Sequence, residues 1–290
     1  MFKGFISVLL MAGFLPVSSY ALDAIPRGQL QLQASYYEPT VANDAHWAIS
    51  MPNSNIGLTA VESLDNSTII GHWQVGIDPL SEGQEALLTQ QQAFLSWQQG
   101  IINLWAGRLP SLEQAFLEDK YQGLLSLSDK GLAVSGQYDN SERNAVRIDA
   151  ASGEYLVFSG QWIIDENSDA LVWSVASSLQ TPEGSIAVTY RKPEGRDAIW
   201  GNRVTWLSGS LSFSGVWMLQ GEVLGWDVEA RMSNAKTQSF LGFSKDLADE
   251  NRWSVGVQQM LSPAVTNYSE LLWWSDAERW QWSTGFQMRF

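Results

Sequence analysis

The sequence predicts an all-β protein, a membrane-spanning antiparallel barrel of about sixteen strands, and three observations predict it. First, apolar and polar residues alternate with period two in segment after segment of ~10 residues, as strands with one lipid face and one wet face require. Second, there are 15 Trp, 11 Phe and 8 Tyr, while charged residues make up only 17% of the chain, against ~25% in soluble domains. Third, the chain ends on an amphipathic segment. Trp280, Trp282, Thr284, Phe286, Met288 and Phe290 share one parity, and Gln281, Ser283, Gly285, Gln287 and Arg289 share the other.

The elements follow in chain order. Lys3, an apolar run from Phe5 to Val17 and the small-x-small site Ser19-Tyr20-Ala21 read as a secretory signal peptide over residues 1–21. Its apolar run of ~13 residues is too short to span ~30 Å of hydrocarbon as a helix. Residues 22–290 are then the barrel, a single domain without linker or low-complexity tract. Strands are expected at 28–37, 53–62, 67–77, 89–97, 101–108, 143–150, 154–163, 168–178, 183–192, 197–207, 209–218, 224–232, 236–244, 251–260, 267–275 and 279–290. Their apolar faces are legible as Leu30, Leu32, Ala34 and Tyr36; Ile69, Gly71, Trp73, Val75 and Ile77; Leu156, Phe158, Gly160 and Trp162; Leu224, Trp226, Val228 and Ala230; and similar rows elsewhere. Connections at 38–52, 78–88 and 109–142 are long, and those at Leu64-Asp65-Asn66, Gln98-Gln99-Gly100 and Ala151-Ser152-Gly153 are tight. Long loops on one side and short turns on the other are the habit of such barrels.

Composition excludes several chemistries. Without cysteine there is no disulfide framework and no thiolate metal site. His46 and His72 are isolated, so no metal or other cofactor is expected. Removal of Lys3 leaves 16 basic against 31 acidic side chains, a net charge of −15. That balance argues against nucleic acid as a partner, which needs a basic face.

Four stretches resemble the Gram-negative general porins. Ser54-Asn55-Ile56-Gly57-Leu58-Thr59-Ala60 with Glu62 resembles the family's second strand, and Gln92 to Trp97 through Leu104-Trp105-Ala106-Gly107-Arg108 resembles its fourth and fifth. Arg143 to Asp149 resembles the strand after the long third loop, and Phe290 the terminal residue. The resemblance implies a sixteen-strand barrel, usually a homotrimer, with the third loop folded into the lumen as a constriction. It implies outer-membrane lipid and lipopolysaccharide as surroundings. It also implies that Phe290 is an assembly signal read by the barrel-assembly machinery. The chain departs from the family in two places. The third loop opens Leu109-Pro110-Ser111-Leu112-Glu113 rather than with a Pro-Glu-Phe-Gly-Gly-type sequence, and no Lys or Arg occurs from Gly28 to Gly107, where many members draw a basic cluster.

The candidate site is a set of fixed charges. Glu113, Glu118 and Asp119 fall on the third loop, as the pore constriction. Parity points Arg147, Asp149, Arg191, Arg203, Asp227, Glu229 and Arg231 into the lumen, and the family's Gly-Arg adds Arg108 to the lumen wall. Charges in a narrow aqueous path select ions by sign. Seven acidic and no basic residues in 28–107 tilt that path toward cations. The alternatives are acids that only solvate a surface loop, and a rim position or intra-barrel ion pair for Arg108. Trp73, Trp162, Trp173, Trp206, Trp217, Trp226, Trp280 and Trp282 take outward parity and read as an aromatic girdle. A lumenal slide for sugars and packing between subunits are the other uses of tryptophan. Trp105 takes inward parity and is expected to face water or the third loop.

Function therefore reads as a channel for small hydrophilic solutes and ions. A plugged structural or surface-recognition barrel would carry the same strands. A barrel hydrolase would need a nucleophile and an oriented base, and neither histidine is followed by a Gly-x-Ser-x-Gly motif. A soluble β-sandwich would rarely place so many aromatics on its last strand.

Overall fold

Alternation in the sequence becomes alternation of outer and inner faces in the computed structural model, which describes residues 23–39, 44–51, 54–77, 88–117, 141–164, 171–193, 197–245, 250–275 and 278–290. The strands are β1 (Asp23–Tyr37), β2 (His46–Ser50), β3 (Asn55–Leu64), β4 (Ser67–Ile77), β5 (Leu88–Gln99), β6 (Ile102–Pro110), β7 (Ser141–Ser152), β8 (Leu156–Ile164) and β9 (Leu171–Thr181). They continue as β10 (Gly184–Lys192), β11 (Ile199–Ser208), β12 (Leu211–Gln220), β13 (Val223–Ser233), β14 (Thr237–Lys245), β15 (Asn251–Ser262), β16 (Val265–Trp274) and β17 (Arg279–Arg289). One short helix, α1 (Leu112–Leu117), follows β6.

Each strand pairs antiparallel with its neighbour, and the sheet closes where β1 meets β17, from Gln29 opposite Arg289 to Tyr37 opposite Gln281. β2 and β3 are two pieces of one stave. β2 pairs with Gln33–Tyr37 of β1, and β3 with Asp23–Gln29. The barrel thus has sixteen staves, as the sequence predicts. β2 lies inside the stretch expected as a long loop over 38–52. Where the stave is broken, Ser54 repairs the ladder: its Oγ accepts from Gln31 N at 2.9 Å, and its carbonyl accepts from Ile77 N at 2.8 Å. A backbone N–H in a membrane must find a partner within the protein, and here a side chain supplies one.

The outer face is apolar. Leu32, Leu95, Phe158, Ile186, Leu241 and Phe286 are each at least half exposed. An apolar surface of this extent belongs in hydrocarbon, and the closed ladder leaves no open edge there. Trp73, Trp162, Trp173, Trp206, Trp217, Trp226, Trp280 and Trp282 all stand on the outward parity of their strands. Cross-strand register links most of the aromatics near the long connections: Trp162 to Trp173, Tyr190 to Trp200, Trp217 to Trp226, and Phe243 through Trp253 and Trp273 to Trp280. Tyr36 continues the belt to Trp47, with ring centroids 5.4 Å apart. Trp206 departs from that belt. It sits beside the tight turn at Gly209 and stacks on Phe213 at 5.6 Å.

Inside, the closure seam is stitched by uncharged side chains. Gln31 Nε2 donates to Tyr268 Oη at 3.0 Å, and Tyr268 Oη donates to Gln33 Oε1 at 3.1 Å. Gln33 Nε2 donates to Ser35 Oγ at 2.7 Å, and Ser35 and Ser283 share a bond of 2.9 Å. The last residue closes the ring: Gly28 N donates to Phe290 O at 3.0 Å and Phe290 N to Gly28 O at 3.1 Å. A Cβ at Gly28 would stand 2.7 Å from the Asn55 carbonyl oxygen and 2.7 Å from the Phe290 ring. Gly28→Val is therefore expected to impair closure. The check is the heat-modifiable, fast-migrating band of unheated protein in a gel, which should lose most of its intensity.

Candidate functional site

The segment after β6 begins with a helix because its first residues cap one. Ser111 Oγ accepts from Gln114 N at 3.1 Å, and Ala115 N donates to Ser111 O at 2.9 Å. Ser111 with Gln114 three residues on is a capping-box spacing. The helix is amphipathic, and its apolar side finds a matching patch on the inner wall. Leu112 and Phe116 pack on Ala176 of β9 and Ala187 of β10. Leu117 packs on Ile199, Val216 and Met218 of β11 and β12. The Leu117 side chain rests directly on Gly201, where any Cβ would collide with it.

Glu113 departs from expectation. It does not face water: it is 1% exposed, and its nearest cation is Arg191, with Nη1 3.8 Å from Oε2. Burial pushes its carboxyl above the usual carboxylate range, and Arg191 offsets only part of that rise. Its acid is enclosed because the helix that carries it lies against the wall. Glu118 and Asp119 lie outside the described residues.

The wall charges come together mostly as pairs. Arg147 Nε lies 2.7 Å from Asp149 Oδ1, and that oxygen also accepts from Ser159 Oγ at 2.5 Å. Arg231 Nη2 lies 2.5 Å from Glu229 Oε1 on the same strand. Arg203 is buried and donates to Ser185 Oγ at 3.3 Å. Asp227 is buried on the same inner row as Glu229 and Arg231. Arg108 is the exception. Its register partner is Ala93, on the parity of Leu95 and Trp97, so it stands outside the inner row at the end of β6 and half-buried. A bulge follows: Leu109 pairs with Glu142 while Gly107 pairs with Ala145, with Gly107 at φ 133° and Asn144 at φ 52°.

Trp105 takes the inward place its parity predicts. Its Nε1 donates to Asp149 Oδ2 at 2.8 Å, and the Arg147 guanidinium lies 5.6 Å from its ring centroid. The same guanidinium lies 5.5 Å from the Phe116 ring of α1. Two cation–π contacts, each worth ~0.5–2 kcal/mol, thus tie the helix to the wall through one arginine. The seat of α1, formed by Ala176, Ala187, Ile199, Val216 and Met218, is what sequence reasoning misses. Its one signal is apolar residues on the wet parity of neighbouring strands. Among the described residues no group of three His, Cys, Asp or Glu is placed to hold a metal.

No family model and no curated protein matches this sequence. Solved structures do match its fold. A loop L8 deletion mutant of OmpT, an outer membrane protein of Vibrio cholerae, superposes with a TM-score of 0.73 at 9% identity, over 93% of this chain and 100% of that one. A porin from Rhodopseudomonas blastica carrying three substitutions gives 0.74 at 10% identity, over 92% and 100%. An anion-selective porin from Comamonas acidovorans gives 0.73 at 12% identity, over 93% and 100%.

Removing the cap with Ser111→Ala should cost α1 about 1 kcal/mol, and Gly201→Leu should displace Leu117 altogether. Amide hydrogen exchange over Leu112–Leu117 is expected to accelerate in both, with exchange in β11 and β12 unchanged for Ser111→Ala. The fold of this chain is the sixteen-strand closed barrel of the porins.

Proposed function

We propose that the protein is an outer-membrane porin, delivered by the leader at 1–21, through which small hydrophilic solutes and ions diffuse passively. The observation that carries this reading is the closed barrel with an apolar outside and a polar inside, in the architecture of known porins. The segment opened by α1 is then the constriction. Burial of Leu112, Phe116 and Leu117 against the inner wall supports this, because it holds the segment's first turns inside the barrel. Charge pairing within the wall, at Arg147–Asp149 and Arg231–Glu229, leaves little net sign there. Selectivity would then be set by the mouths and loops, where the excess of acids lies, and we propose cation preference on that ground.

Assembly as a homotrimer in lipid and lipopolysaccharide, with Phe290 as the signal to the barrel-assembly machinery, completes the reading. One feature of the outer face supports contact between copies. Ser269, Thr284 and Ala34 stand in one outward row across β16, β17 and β1, with Asn267 beside them. Trp282 Nε1 donates to Ser269 Oγ at 2.9 Å, and Thr284 Oγ1 donates to the Tyr268 carbonyl at 2.9 Å. Small and hydroxyl side chains in place of Leu or Phe favour close protein contact over contact with acyl chains.

In a planar bilayer the refolded protein should open in steps, and its reversal potential in a salt gradient should take the cation-selective sign. Anion selectivity would remove the charge argument while leaving the channel. Steady absence of openings from folded protein would leave a plugged barrel. The double variant Ser269→Leu/Thr284→Leu should migrate as a folded monomer in an unheated gel, where the parent migrates as an oligomer.

A further inference from the structure

Three rings stand side by side on the inner wall of three consecutive strands. His72 of β4 lies opposite Phe94 of β5 and stacks on it, with centroids 5.0 Å apart and planes at 27°. Phe94 meets Trp105 of β6 edge to face at 5.1 Å. The Arg147 guanidinium lies over the far side of Trp105 and reaches Phe116 of α1. All three rings are half-buried on the inward parity, so each keeps part of its surface toward the interior. The row spans on the order of 10 Å, two strand spacings of ~4.8 Å, and ends where α1 meets the wall.

The inner rows of β3 to β6 around the rings carry no charge and are rich in hydrogen-bonding groups, while Arg27 of β1 acts on the His72 end and the Arg147–Asp149 pair closes the Trp105 end. β3 to β6 hold one acid, Glu62, on the outward parity of Leu58 and Leu64, and one base, Arg108, outside the inner row. Thr59 Oγ1 bonds His72 Nδ1 at 3.0 Å, and Gln74 Nε2 donates to Gln91 Oε1 at 2.6 Å. A solute with apolar C–H faces and hydroxyl edges gains from both parts: its faces stack on rings, and its edges exchange bonds with amides that carry donor and acceptor together.

We propose that the row His72, Phe94 and Trp105, flanked by Gln74 and Gln91, is a binding subsite for a neutral short oligosaccharide passing beside α1. The inference rests on the channel reading, which makes this wall accessible to water. Asp149 accepts the Trp105 indole N–H and the Arg147 guanidinium lies over one side of the ring, so the indole is held in place rather than swinging as a gate.

The test is current block by maltotriose in the planar bilayer, paired with calorimetric titration of the same sugar into the detergent-folded full-length mature protein. Wild type should show saturable block and saturable heat at matching concentrations. Phe94→Leu keeps bulk and removes the ring, and it should raise both half-saturation concentrations at least tenfold with single-channel conductance in salt little changed. Trp105→Ala should do the same where it folds. Block that never saturates, or equal block and heat in wild type and Phe94→Leu, would overturn the subsite while leaving the porin. Absence of current with saturable, ring-dependent heat would keep the subsite and remove the channel. Absence of both current and heat would remove both.

Discussion

Closure of the β1–β17 seam is the constraint on which everything else depends. In hydrocarbon each unpaired backbone N–H or C=O costs several kcal/mol, so an open sheet of these strands has no stable form. The seam is correspondingly over-determined. Backbone register runs the length of the pair, the Gly28 and Phe290 amides exchange bonds, and the Gln31–Tyr268–Gln33–Ser35–Ser283 chain crosses the join from within. Gly285 belongs to the same design: a side chain there would run into the Leu32 carbonyl and into Tyr268 Oη at 2.6 Å. The phenol occupies the space the glycine leaves.

Once the ring is closed, parity decides the rest. One face must be apolar and the other is free to be polar, and the free face has been divided. From β17 round to β6 its middle is amide, hydroxyl and aromatic. From β7 to β16 it carries arginines with nearby carboxylates, and beneath α1 it is apolar. The helix sits against the one part of the interior that resembles a protein core, and Arg147, between Trp105 and Phe116, stands at the border of the other two parts.

Most of the barrel was legible because period-two alternation reads the outside directly. Trp280 to Phe290, Leu224 to Ala230 and Leu30 to Tyr36 show it most clearly, and their faces stand as expected. What stayed hidden has physical causes. β2 is five residues long, too short for a period to emerge, and owes its pairing to Gln33–Tyr37 across from it. The extra residue Gln91, opposite the Gln74–Val75 step, is a bulge, and alternation cannot reveal an inserted residue. Glu113 looks like a water-facing loop acid until the capping pair Ser111–Gln114 is read as the start of a helix, and the helix is seated through Leu117 on Ile199, Val216 and Met218, whose inward parity resembles noise in a single strand. Arg108 resembles the family's lumenal arginine by motif alone, while its register opposite Ala93 gives it the parity of the outward row.

The aromatic belt has a consequence for how the barrel sits in its membrane. From Trp162 round to Trp47 the large rings gather near the end with the long connections, while Trp206, Phe213 and Phe158 mark the opposite rim more thinly. Indole rings prefer the headgroup depth, so under the porin reading proposed above the barrel has one firm waterline and one soft one. A bilayer that thickens or thins would leave the crowded rim where it is and move the sparse rim against its lipid. Elastic mismatch is then absorbed by the leaflet facing the tight turns, and the level at which α1 meets the wall stays fixed relative to the water beside the long connections.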